Sequence, residues 1–326
     1  MRPQGIVVEG SLGGIGAWWR RERSTVLLLF AVQVAAFSYL YFLPILTNHT
    51  FPNVWIHDYP TFKTNAEGRW MSDLILWAQG GSGVKSFQMI LATLVQAMNG
   101  LLLADLVGEK RPAQRFLLAA LLCLYPAFID FYSFSGEHLT FVLGNAFALL
   151  AALALVRGPP SPVRLILAAC GFAASIASYQ PNPGLVALLL TSVALLRLTR
   201  TAPEEARPRP AGVLREMGTL LLVAVGSVAI YWLSMRLTVS AVWSPDRIHV
   251  NTLSAAWRQA QAAYGETARL FSGGIAGLSR LGHWTAIAIL VLGIGGFVRD
   301  AGRRALWLIP VVLAVVAAIP VALRAT

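Results

Sequence analysis

The chain has 326 residues, 56% hydrophobic and 13% charged, with a mean hydropathy of +0.63 and a formal charge of +11. Apolar runs recur along its whole length, which excludes a water-soluble domain with one anchor and points to a polytopic membrane protein. The basic excess does not signal nucleic acid, because its distribution follows the connections between apolar runs.

In chain order, nine apolar segments are candidate spans: 24–46, 86–107, 114–130, 138–156, 163–178, 184–197, 217–239, 284–298 and 305–322. The first follows "WWRRERS" and is long enough to cross a hydrocarbon core of ~30 Å. It lacks the short apolar core and small-residue cleavage site of a signal peptide. The earlier "GSLGGIGAWW" superficially suggests a phosphate loop, but no strand precedes it and it reads as flexible. Several later segments fall short of the roughly 20 residues of a perpendicular helix, so their ends are misplaced or some are broken helices lining a cavity. The expected fold is all-α, a polytopic transmembrane bundle forming a single membrane domain over 1–326. It divides into an N-terminal bundle over 24–200, with a first outside loop over 47–85, and C-terminal helices over 217–326. No internal repeat or inverted pair of broken helices is visible, which disfavours a repeat-built transporter.

Placing the N-terminus inside gathers 17 of the 26 basic residues into inside segments, among them Arg20, Arg21, Arg23, Lys110, Arg111, Arg115 and Arg157. This is the positive-inside pattern, and it holds along the chain. The inside connection "RTAPEEARPRPAG" reads as a flexible link between two halves of the bundle. Cys123 and Cys170 lie in apolar runs without metal-ligand or disulfide spacing, and read as small buried hydrophobes. Two short amphipathic helices are expected outside. "EGRWMSDLILWAQGG" places Trp70, Leu74 and Trp77 on one face, and "NTLSAAWRQAQAAYGETARLF" repeats apolar residues at steps of three and four.

Three outside clusters carry the chemistry. The first, "WIHDYPTFKTNAEGRW", gathers His57, Asp58, Lys63, Glu67 and Arg69 in an otherwise apolar chain. Asp58 lies between His57 and Tyr59, among Trp55 and Phe62, where a carboxylate shielded from water can act as general base on a hydroxyl. Lys63 and Arg69 suit a phosphate leaving group, Arg by its planar fork and Lys as a point charge. A turn with an incidental Asp accounts for the same spacing. The second cluster, "YPAFIDFYSFSGEHLTF", sets Asp130, Glu137 and His138 among Tyr125, Phe131, Tyr132 and Phe134 at the membrane boundary. Acids beside aromatic rings suit a sugar site; aromatic residues at headgroup depth are the alternative. A carboxylate–histidine metal site is also open there, although no ligand spacing supports it and no cofactor is named by the residues. The third, "ASYQPNPG", ends an apolar run with Tyr179 and Gln180, which could contact sugar or phosphate; a proline-rich turn explains its prolines and glycine. No P-loop, GxSxG, HExxH or dinucleotide fingerprint is present.

"DYPTF" followed by "GRW", then "YPAFIDFYSFSGEHLTFVLG" and "ASYQP", resembles the bacterial glucosyl transferase II family, the serotype-converting O-antigen glucosyltransferases. The resemblance covers residues 24–200 well and is diffuse beyond. It implies a GT-C-like membrane enzyme of the bacterial inner membrane with its active site on the periplasmic face. Such an enzyme moves a sugar, plausibly glucose, from a polyprenyl-phosphate donor to a surface glycan or lipid-linked acceptor. Carried over, Asp58 matches the first-loop acid expected to be the base, Tyr59, Gly68, Arg69 and Trp70 match the surrounding loop motif, and Tyr179 and Gln180 match the "YQ" element. Family members are generally longer, with further helices after the point where this chain stops; a missing C-terminus and a short variant are the two readings of that departure. The rival reading is a transporter or flippase for a lipid-linked sugar. It requires ionisable groups deep within spans, whereas Asp105 and Arg236 lie near predicted ends.

Overall fold

A computed structural model describes residues 11–38, 69–78, 85–124, 138–157, 161–179, 182–200 and 210–238, with Gln261 and Ala288 as isolated helical positions. Among these residues there are eight helices and no strand: α1 (Ser11–Ala36), α2 (Trp70–Ala78), α3 (Lys85–Val107), α4 (Pro112–Cys123), α5 (His138–Val156), α6 (Pro162–Ser178), α7 (Asn182–Arg200) and α8 (Pro210–Thr238). Three stretches are long and apolar enough to cross a membrane, Phe87–Val107, His138–Val156 and Leu214–Thr238; Pro112–Cys123, Pro162–Ser178 and Asn182–Arg197 are shorter apolar helices.

Local chemistry sets the ends. Prolines open α4, α6 and α8, where a missing N–H leaves no helical bond unmade. Ser161 caps α6, its Oγ accepting the Arg164 N–H at 3.4 Å. Gly108 ends α3 in the left-handed region, at φ 77°, a conformation that costs glycine little.

Six of the nine expected spans overlap α3 through α8, three of which are long and apolar enough to cross a membrane. The first differs at its start. The helix begins at Ser11, so most of "GSLGGIGAWW" and the whole "RRER" run are helical and not flexible. Tertiary packing overrides the low propensity of the glycines: Trp18 packs on two apolar clusters, and Glu22 is paired with Arg21 and Arg115. The helix expected to run to 130 stops at Cys123, where the Leu124 N–H donates to the Ala120 carbonyl at 2.8 Å. The spans 284–298 and 305–322, and the second amphipathic helix, lie outside the described residues.

The antiparallel pair α5–α6 forms the centre. Gly171 of α6 lets the backbones approach closely, since a Cβ there would lie 3.0 Å from Ala151 Cβ and 3.2 Å from the Phe147 carbonyl oxygen. Small residues at helix contacts serve this purpose in membranes, where burial alone gives little drive to associate. Helix α3 runs beside α5 in the same direction: Met89 shares an apolar cluster with Leu139, and Leu106 shares another with Leu155. Polar side chains reinforce the contacts, with Asn99 Nδ2 donating to the Val142 carbonyl at 2.8 Å and Gln33 Nε2 to the Thr93 carbonyl at 3.3 Å. Helices α4 and α6 keep exposed apolar stripes. Val163, Ile166 and Leu167 form one on α6, and Cys170 continues that face. Cys170 is thus exposed, correcting the expectation of burial, because it stands one turn along the outward stripe; Cys123 is buried as expected.

The two ends of the bundle differ in chemistry. At the end holding Lys110 and Arg111, Asp105 accepts from Trp18 Nε1 at 3.0 Å, Arg115 at 2.7 Å and Arg157 at 3.1 Å. Glu22 pairs with the same Arg115 at 3.0 Å. Nearby, Arg197 bonds Glu216 at 2.6 Å and the last-turn Leu155 carbonyl through two of its nitrogens. These groups tie together α1, α3, α4 and α5, and separately α5, α7 and α8. The opposite end is aromatic and carries the candidate site.

Candidate functional site

The site is built where α6 stops. After Ser178, Tyr179 adopts an extended backbone (φ −155°, ψ 133°), and the following Gln180-Pro181 pair disfavours a helical continuation. The Tyr179 N–H still reaches the Ser175 carbonyl at 3.4 Å, and the Tyr179 carbonyl accepts the Asn182 N–H at 3.1 Å. Asn182 closes the turn by donating its side-chain amide to the Ser175 carbonyl at 2.8 Å. This gives the last-turn Ser175 carbonyl a second and shorter bond beside the long one from Tyr179. Pro183 then sits in the first turn of α7, a position that tolerates proline.

Gly144 of α5 makes room for this turn. A Cβ at that position would lie 2.6 Å from Asn182 Nδ2 and 3.0 Å from Ser178 Cβ. Gly144→Ala is expected to push the Asn182 amide off its acceptor. The cost is about 1–3 kcal/mol, the penalty for leaving a buried polar group unsatisfied. Thermal unfolding of the purified variant, with Gly144→Ala/Asn182→Ala recovering part of the loss, checks this outcome.

Helix α2 docks on the same place. Its Ser72 is fully buried and donates through Oγ to the Ser178 carbonyl at 3.4 Å, while Ile75 and Leu76 pack inward and Leu74 and Trp77 face out. Docking brings Arg69, the residue before α2, over Tyr179, with the guanidinium carbon 5.4 Å from the ring centroid. Phe141 of α5 meets Tyr179 in a T-shaped contact, ring centroids 4.2 Å apart at an interplanar angle of 68°. Such a pair is held by complementary ring charge distributions. Tyr231 of α8 is within electrostatic reach of Arg69. Trp70 is half-buried, and its indole N–H has no acceptor among the described residues. His138 opens α5 one turn before Phe141 and is buried.

Members of all three sequence clusters are therefore on elements that share this end. Arg69 and Tyr179 are in direct contact, Trp70 belongs to the docked helix, and His138 shares a helix with the ring that supports Tyr179. His57, Asp58, Tyr59, Lys63, Asp130, Glu137 and Gln180 lie outside the described residues. Sequence reasoning did not single out Phe141, Ser72, Gly144, Asn182 or Tyr231. For Phe141 a signal existed, since it follows His138 by three residues and so shares its helix face. For Ser72 and Gly144 there was none, because a serine and a glycine in apolar runs gain their roles only from the neighbour that packs on them.

Among the described residues no three His, Cys, Asp or Glu side chains converge as a metal site would require. What this end of the bundle offers is a fixed cation on an aromatic support beside the membrane-crossing helices. That arrangement can bind an anionic oxygen. Compared with known proteins, the chain matches the family model described as Glucosyl transferase GtrII over residues 52–324, most of its length. No curated protein and no solved structure matches it.

Proposed function

The chain belongs to the Glucosyl transferase GtrII family and is a membrane glycosyltransferase, and on that premise we propose its donor, acceptor and mechanism. The donor is a polyprenyl-phosphate sugar, plausibly glucose, which arrives in the lipid leaflet already activated, and the acceptor is a surface glycan or lipid-linked glycan. Transfer takes place on the periplasmic face of a GT-C-like bundle of about nine spans in the bacterial inner membrane. The observation that carries this reading is Arg69, held over Tyr179 at the aromatic end of the bundle. A guanidinium fixed beside lipid suits the phosphate of a prenyl donor better than it suits any neutral sugar.

In the proposed reaction, Asp58 takes the proton of the acceptor hydroxyl as its oxygen bonds to the anomeric carbon. The bond from that carbon to the phosphate oxygen breaks, and the electron pair leaves with the polyprenyl phosphate. Arg69 and Lys63 stabilise the charge growing on the phosphate, the kind of preorganised electrostatic help that lowers such barriers most. A phosphate leaving group needs little protonation near neutral pH, so no separate general acid is required. His57, Tyr59, Trp70, Asp130, Glu137, His138 and Gln180 would line the sugar and acceptor positions. A single displacement inverts the anomeric configuration.

The test is an in vitro transfer assay with purified protein, polyprenyl-phosphate glucose and the glycan of its own host, with and without a divalent-metal chelator. The expected result is glucose covalently joined to acceptor with inverted configuration. Glucose that crosses a vesicle membrane without joining any acceptor would establish the flippase reading in its place.

A further inference from the structure

We infer that Tyr179 and Phe141 are positioning residues that hold the Arg69 guanidinium for the donor phosphate, and that Tyr179 is not a stacking surface for the sugar; this rests on the reading of Arg69 proposed above. The sequence left Tyr179 open between sugar and phosphate. The geometry decides between them. One partner of the ring is Arg69, 5.4 Å from its centroid, and another is Phe141, in a T-shaped contact at 4.2 Å. A ring occupied by a cation and a second ring is supporting protein groups.

The support is rigid at both ends. Tyr179 is fixed by its own backbone, whose N–H bonds Ser175 and whose carbonyl accepts from Asn182. Phe141 beneath it is 5% exposed, so the lower ring has nowhere to move. Arg69 is tied from the other side, because Ser72 of the adjoining helix bonds the carbonyl of Ser178, the residue next to Tyr179. Cation and ring are thus anchored within a few residues of one another.

An aromatic face attracts a guanidinium through its quadrupole. An arginine meant to meet a phosphate gains from being held in place, because its flexible side chain no longer has to be ordered by the ligand.

The experiment measures two constants for full-length protein, the KM for the glycan acceptor and the inhibition constant for the product polyprenyl phosphate. Tyr179→Leu is expected to weaken polyprenyl phosphate roughly tenfold, the order of one cation–ring contact in a partly desolvated site, with the acceptor KM unchanged. Tyr179→Phe keeps the ring and is expected to match the wild type in both constants. Phe141→Leu shifts the same constant in the same direction by less. Should Tyr179→Leu fail to assemble, Phe141→Leu decides the question on the same readout. A defect confined to the acceptor KM, or a Tyr179→Phe as impaired as Tyr179→Leu, overturns the inference. Arg69→Gln separates the two readings. If it leaves polyprenyl phosphate inhibition unchanged, the phosphate role of Arg69 itself falls. If it weakens inhibition and neither ring variant does, only the platform falls.

Discussion

Asp58→Asn is expected to lower sugar transfer by about 10²–10⁴-fold, the usual contribution of a positioned general base, with membrane abundance unchanged. Asparagine has nearly the shape of aspartate but cannot accept the acceptor's proton at neutral pH. The loss should therefore fall on kcat, and the affinity for polyprenyl phosphate, set by cations, should stay near wild type. Transfer measured in membranes normalised for protein level checks this, and a wild-type rate would remove Asp58 from the mechanism. Glu67, in the same loop, is the comparison: Glu67→Gln is expected to leave the rate within a few-fold, since nothing in the family resemblance selects it.

At the other end of the molecule the expected effect is on stability. Asp105→Ala should destabilise the protein by about 3–5 kcal/mol, the cost of breaking a buried ion pair by removing one partner. The Asp105 carboxylate is 8% exposed and accepts from Trp18, Arg115 and Arg157. Without it Arg115, itself 13% exposed, keeps Glu22 and the Glu109 carbonyl but loses its 2.7 Å partner. Removing the outer member of the cluster should matter far less. The Arg157 side chain is half exposed, and Arg157→Gln is expected to cost about 0–1 kcal/mol, as exposed ion pairs do. Thermal unfolding of the three proteins in detergent gives the comparison. An Asp105→Ala curve coinciding with wild type would mean that the cluster is merely solvated charge.

The contrast between the ends bears on mechanism. Among the described residues, the acids and arginines that pair most closely, Glu22, Asp105, Arg115, Arg197 and Glu216, gather at the end away from the Arg69–Tyr179 contact. There they join helices together. At the site end the described polar groups include Arg69, Asp73 of α2, the buried His138, Arg236 in the last turn of α8, and hydroxyls and amides that close a turn.

The helical character of the chain was legible because membrane helices leave a strong signal: every backbone group must bond within its own helix, so apolar runs of the right length have one solution. That is why 138–156 and 163–178 coincide with α5 and α6 within a residue. The face of α2 was legible for a related reason, since Leu74 and Trp77 recur at helical spacing and are exposed. Ends governed by tertiary contacts were not. The start of α1 runs through glycines and arginines that no local rule would make helical, and it is Trp18 and Glu22, meeting partners 87 and 93 residues away, that hold it. Cys170 shows the same limit, because an apolar run does not reveal which of its faces looks outward.

The sequence by itself determined the class of molecule: an all-helical membrane protein with three polar, aromatic clusters, of a pattern resembling glucosyltransferases. It also determined which residues are candidates, since Arg69, Trp70, His138 and Tyr179 were all marked by composition alone or by motif. Only the tertiary structure decided that Arg69 and Tyr179 touch, that Phe141 stands under them, and that Ser72, Gly144 and Asn182 make the contact possible. Periodicity fixes which residues share a face of one helix, but a contact between residues 110 positions apart depends on how closely α2, α5 and α6 approach. That distance is set by a glycine, a hydroxyl and an amide whose partners lie on other helices.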